Sequence, residues 1–128
     1  MIHAILTQGF TTQLSSEDHQ ILADEPQDIG GSNKGFTPQQ LLLAALASCI
    51  CITLKMYANR KGWQLSSIEV NADFANNNFD QISTTILVKG ELNELQKTRL
   101  LEIATKCPMH KLLTGNMGIN TKLNHNLS

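Results

Sequence analysis

Hydrophobic positions change their spacing several times along this chain, and each change marks an element. From Ile2 to Leu22, short apolar groups such as Ala4-Ile5-Leu6 and Ile21-Leu22 are separated by Gly9 and by the polar run Ser15-Ser16-Glu17-Asp18. That pattern predicts two or three short strands joined by turns. Asp24 to Thr37 carries Pro26, Gly30, Gly31 and Gly35 and reads as one long loop, long enough to expect a functional or interface role. A helix is then expected from Pro38 to about Arg60. Thr37 supplies an N-cap, Pro38 fits the first helical position, and Gln40 completes a capping box. At roughly 1.5 Å per residue this helix spans about 34 Å. Between Leu41 and Leu54 it is apolar nearly all round, so it should be enclosed by a sheet and by another helix or a second subunit. Lys55, Arg60 and Lys61 favour its C-terminal end, and Gly62 stops it.

Ile68, Val70, Ala72 and Phe74 then alternate at period two, predicting a half-buried strand over Leu65 to Phe74. A second strand over Phe79 to Val88 and the intervening Ala75-Asn76-Asn77-Asn78 complete a hairpin. Asn93 and Gln96 repeat the capping-box spacing and open a second helix with Leu95, Leu100, Ile103 and Ala104 as its apolar stripe and Leu101 alongside. Pro108 interrupts it after Cys107 and opens a short helix through Leu113; Met117 to Leu123 alternates as a final strand. The order of elements is that of an α+β domain with helices against one sheet, and the 128 residues amount to a single domain.

Charge and composition narrow the function. Lys plus Arg number 10 against 11 for Asp plus Glu, and no short window is strongly basic, which removes the phosphate-neutralising patch of a nucleic-acid binder. Charged residues make up only 16% of the chain, a low share that leans toward surface hidden in an oligomer. The strongly apolar stretch Leu41 to Leu54 falls short of the roughly 20 residues of a membrane span. No signal-peptide pattern opens the chain, so a cytoplasmic location with reduced thiols is expected. No Gly-rich phosphate loop or nucleophile elbow is present, and the His and Cys spacing matches no zinc site, so neither cofactor nor metal is expected.

That leaves the three cysteines. Cys49, deep in the apolar helix, reads by itself as a small core residue, although Ala44, Ala45, Ala47 and Ser48 leave room for another element or a narrow channel to approach. Cys51 points about 200° around the helix from Cys49 and reads as core. Cys107, in Cys-Pro-Met-His, occupies the N-cap of the turn opened by Pro108, where free backbone N–H groups favour thiolate; local chemistry makes it the accessible, reactive thiol. The bland alternative is a half-buried Cys before a helix-breaking Pro. His110 either approaches that thiol or caps the turn.

Asp24-Glu25-Pro26, Gly30-Gly31, Gly35-Phe36-Thr37-Pro38, Gln40 through Cys49, Tyr57 through Trp63, and Ala104 through Lys111 together resemble the OsmC/Ohr family of osmotically inducible and organic-hydroperoxide-resistance proteins. The resemblance implies an OsmC-like α+β fold: an antiparallel sheet, a long buried central helix and a second helix, in an intertwined homodimer. It also implies a thiol-dependent peroxidase acting on organic hydroperoxides or hydrogen peroxide. Cys49 is similar to the family's peroxidatic cysteine and Cys107 to its resolving cysteine, with the disulfide reduced by a dithiol partner such as a lipoyl-bearing protein. The family pattern often has a glutamate, paired to an arginine, where this chain has Gln39, and no arginine precedes Arg60. Gln39 is therefore a site residue that can only hydrogen-bond, and Glu25 or Lys34 are the groups left to assist the thiolate. The alternative function is a non-peroxidatic dimer of the same fold binding a small hydrophobic ligand at its subunit interface.

Overall fold

A computed structural model describes residues 1–127. Its elements run β1 (His3–Gln8), β2 (Thr11–Ser15), β3 (Gln20–Ala23), a single 3-10 turn (Gln27–Ile29), α1 (Pro38–Lys61), β4 (Leu65–Phe74), β5 (Ile82–Gly90), α2 (Glu94–Ala104) and α3 (Pro108–Thr114). The chain is α+β, but its strands form two sheets rather than the one expected: a three-stranded meander β1-β2-β3 and a two-stranded β4-β5 hairpin. It divides into two compact units. One comprises Met1–Ser48 with Glu69–Leu87, the other Cys49–Ile68 with the chain from Val88 onward.

In the first unit the meander is antiparallel, with Ala4 opposite Leu14 and Leu14 opposite Ile21. Gly9 turns the chain between β1 and β2 at φ +58°, a left-handed conformation that favours glycine. The loop after β3 is ordered by one buried carboxylate. Asp24 accepts hydrogen bonds from the Thr11 hydroxyl at 2.7 Å and from the backbone N–H groups of Glu25, Ser32 and Lys34 at 2.8, 3.3 and 3.2 Å. Its own N–H donates to the Phe36 carbonyl at 3.0 Å. The close approaches this requires explain two glycines, because a Cβ on Gly31 would collide with the Glu25 carbonyl and one on Gly35 with that of Leu22.

Helix α1 starts as its sequence dictates. Thr37 and Gln40 exchange side-chain-to-backbone bonds at 2.9 and 3.1 Å, a complete capping box. It ends at Gly62, φ +73°, with the Trp63 N–H reaching back to the Ala58 carbonyl at 2.9 Å. Leu46, Ile50, Leu54, Tyr57 and Ala58 form its buried stripe, whereas Ile52 and Met56 are exposed on this single chain. With its flanking residues included, Pro38–Lys61 is long and apolar enough to cross a membrane, more than the Leu41–Leu54 stretch alone indicated. The core helix of a soluble protein passes the same test of length and composition.

Three expectations change. Phe79 sits in the hairpin turn at φ +57°, stacked edge-on against Phe74 with ring centroids 5.0 Å apart, so β5 begins only at Ile82. The stripe of α2 is narrower than its sequence predicts: Leu100, Ile103 and Ala104 are buried while Leu95 and Leu101 face out. The expected strand over Met117 to Leu123 does not form. Its alternation supplies an apolar face, but among the described residues no strand pairs with it and Met117, Ile119 and Leu123 stay exposed.

Candidate functional site

The second unit brings Cys49 and Cys107 together. Cys49 projects from α1 and is half-buried. Cys107 reaches it because α2 unwinds after Ala104: the Thr105 and Lys106 N–H groups bond back to Glu102 and Ile103, and Pro108 forces Cys107 into an extended conformation, φ −63°, ψ 144°. Cys107 then caps α3, its sulfur accepting from the His110 backbone N–H at 3.2 Å. His110 therefore serves the thiol through its main chain. A further bond crosses the same unit, where Arg99 of α2 donates to the Tyr57 hydroxyl at the end of α1 at 3.0 Å, fixing the two helices to each other.

Cys49 and Cys107 are both free thiols, lie near disulfide distance and interact directly. Their ionisation is pushed in opposite directions. Burial opposes charge on Cys49, but the Met109 backbone N–H, the Cys107 thiol and the Thr53 hydroxyl together outweigh it, and its pKa falls below the ordinary thiol value. Burial also dominates at Cys107, which is completely inaccessible; the neighbouring Cys49, through its hydrogen bond and the charge it carries when ionised, adds to that, and the His110 and Met109 N–H groups do not compensate, so its pKa rises. This reverses the expectation drawn from the Cys-Pro-Met-His motif. An N-cap position favours thiolate only while the sulfur is solvated, and here the cap is buried against a second thiol.

Gln39 is exposed in the first turn of α1 and belongs to the other unit, as do Glu25 and Lys34, whose backbone N–H groups serve Asp24. Cys51 is turned away from the pair, its thiol 4.0 Å from the Ile68 carbonyl. It is half-buried rather than core and lines an apolar groove of about 400 Å³ with Ile52, Lys55, Met56, Leu65 and Ile68. Among the described residues no three His, Cys, Asp or Glu side chains converge as metal ligands. Thr53 was missed in the sequence; its position one helical turn after Cys49 was the available signal.

The family model for OsmC-like protein matches residues 31–122, which include both cysteines and Gln39. The chain belongs to the OsmC-like family. Solved structures agree in fold. An OsmC-like protein from Mycoplasma pneumoniae is 25% identical with a TM-score of 0.75, covering 90% of this chain and 86% of its own. A Psychrobacter arcticus protein described in terms of osmotic stress induction and detoxification response is 19% identical with a TM-score of 0.77, covering 87% and 85%. An organic hydroperoxide resistance protein from Elizabethkingia anophelis, also 19% identical, has a TM-score of 0.60 and covers 91% and 89%. No curated protein matches. In this OsmC-like chain a thiol with lowered pKa therefore stands beside one with raised pKa, an arrangement suited to two-electron redox chemistry.

Proposed function

We propose that this OsmC-like protein reduces organic hydroperoxides or hydrogen peroxide through Cys49. The observation that carries this reading is the juxtaposition of Cys49 and Cys107 with their opposed ionisation. The Cys49 thiolate attacks one peroxide oxygen, and the O–O bond breaks. Two electrons pass from sulfur to the departing oxygen, which takes a proton and leaves as alcohol or water, while Cys49 becomes a sulfenic acid. The Cys107 thiol then attacks the Cys49 sulfur, a disulfide forms and water is released. A dithiol, such as a lipoyl group on a partner protein, restores both thiols by exchange and leaves as its own disulfide. Gln39 enters this reading as a neutral hydrogen-bonding group where the family pattern has a carboxylate. The organic hydroperoxide resistance proteins that share the fold support the substrate class.

Adding about one equivalent of cumene hydroperoxide to the reduced protein should produce a Cys49–Cys107 disulfide, read as a loss of about 2 Da by intact mass and located by peptide mapping. Cys49 left as free thiol would sink the proposal. The groove beside Cys51 would then favour the alternative, binding of a small hydrophobic molecule.

The working form is proposed to be a homodimer. Ile5, Leu6, Ile21, Ile52 and Met56 are exposed on the single chain, an amount of apolar surface that a second copy would cover. Sedimentation at micromolar concentration should give a dimer; a clean monomer would refute this.

A further inference from the structure

Activation of a cysteine usually draws on a nearby cation, and among the described residues of this chain no charged group acts on the half-buried Cys49. Every polar partner of its sulfur is neutral: the Met109 backbone N–H, the Cys107 thiol and the Thr53 hydroxyl. The ion pairs among the described residues, Lys97–Glu94 and Arg99–Glu102, both lie within α2. Of the three partners, Met109 acts through its main chain and Cys107 is the redox partner. Thr53 alone is a side chain with no other assigned part in the chemistry.

Its placement follows from helix geometry. Thr53 is one turn beyond Cys49 on the same face of α1, and helical side chains tilt toward the N-terminus, so the hydroxyl at position i+4 leans over the sulfur at position i. A helical threonine commonly donates to the carbonyl four residues back. Here the Thr53 Oγ1 is instead 3.9 Å from Cys49 Sγ, and both residues are half-buried. The contact is long for a neutral pair. It strengthens when the sulfur carries charge, because a thiolate is the better acceptor and the site is only partly solvated.

We propose that the Thr53 hydroxyl is the side-chain donor that stabilises the Cys49 thiolate. The proton stays on Thr53 throughout, and the bond is donated to sulfur without transfer. The inference rests on the reading of Cys49 as the reacting thiol, and it separates from that reading by using a probe other than peroxide.

Iodoacetamide alkylation of Cys49, followed against pH in a Cys51→Ser background, measures thiolate directly. Thr53→Val keeps the shape and removes the donor, so the inflection for Cys49 should move up by roughly 0.5 to 1 pH unit, and the rate at neutral pH should fall about three- to ten-fold. Thr53→Ser retains the hydroxyl and should restore the original profile. A purely structural role would leave the Val profile in place, or leave Ser as displaced as Val; either result overturns the inference. If the expected shift appears in a protein whose Cys49 does not react with hydroperoxide, the role of Thr53 stands and the peroxidase reading falls. If hydroperoxide still forms the disulfide while the Val profile is unmoved, the reverse holds.

Discussion

Cys49→Ser should abolish hydroperoxide consumption, by a factor on the order of 10³ or more, because a serine hydroxyl is not ionised near neutral pH and is a far poorer nucleophile toward an O–O bond. Cys107→Ser should behave differently. It leaves the lowered Cys49 thiol in place but removes the group that closes the disulfide, so one turnover should proceed and stop at a Cys49 sulfenic acid, trapped by dimedone and seen as a mass adduct on the Cys49 peptide. The asymmetry is the informative part. Two interchangeable thiols would give similar losses in both variants, whereas opposed ionisation requires that only the Cys49 variant lose the first oxidation step. A dimedone adduct on Cys107 in the Cys49→Ser protein, with consumption retained, would show that the roles are the other way round.

The second large effect is on stability and comes from Asp24. Its side chain is 2% exposed and accepts one hydroxyl and three backbone bonds, which hold the loop between β3 and α1. Asp24→Asn keeps the size but turns an amide NH₂ toward groups that are themselves donors, leaving buried N–H groups unpaired. Tm should fall by roughly 10 °C at neutral pH, measured by calorimetry or circular dichroism. The pH dependence has a definite sign. Led by the Thr11 hydroxyl and helped by the Glu25, Lys34 and Ser32 N–H groups, the surroundings hold the Asp24 carboxyl down to about 2 from 3.8, against the opposing effect of burial. A depressed carboxyl contributes stability above its unfolded value and loses it as pH falls through the folded one. The gap between native and variant proteins should therefore be constant from neutral pH down to about 4, the ordinary carboxylate value, and narrow progressively toward about 2. A gap independent of pH across that window would show that the charge on Asp24 is not what orders the loop.

Local signals along the chain carried the elements well wherever they involved only neighbouring residues. Thr37, Pro38 and Gln40 specified the start of α1, Asn93 and Gln96 that of α2, and Cys107 with Pro108 that of α3, since each cap satisfies its own backbone groups within about four residues. Alternation was less informative. It found β4 over Leu65–Phe74 but also proposed a strand over Met117 to Leu123, where the period is right but the segment pairs with no described strand. Phe79 failed for a related reason, because its aromatic ring packs on Phe74 from within a turn and contributes nothing to a strand.

Sequence alone determined the α+β class, the long capped helix and the family, because capping, periodicity and a family-wide combination of motifs are all written in linear order. The resemblance already implied Cys49 as the attacking thiol; tertiary structure added the direction in which each thiol is pushed. The Cys-Pro-Met-His motif pointed to Cys107, yet burial and the adjoining Cys49 push that thiol up, while Met109 and Thr53 bring Cys49 down. Thiol ionisation is governed by desolvation and by dipoles within a few ångströms. Those neighbours come from α1 and α3, far apart in the chain, and only the fold places them around one sulfur.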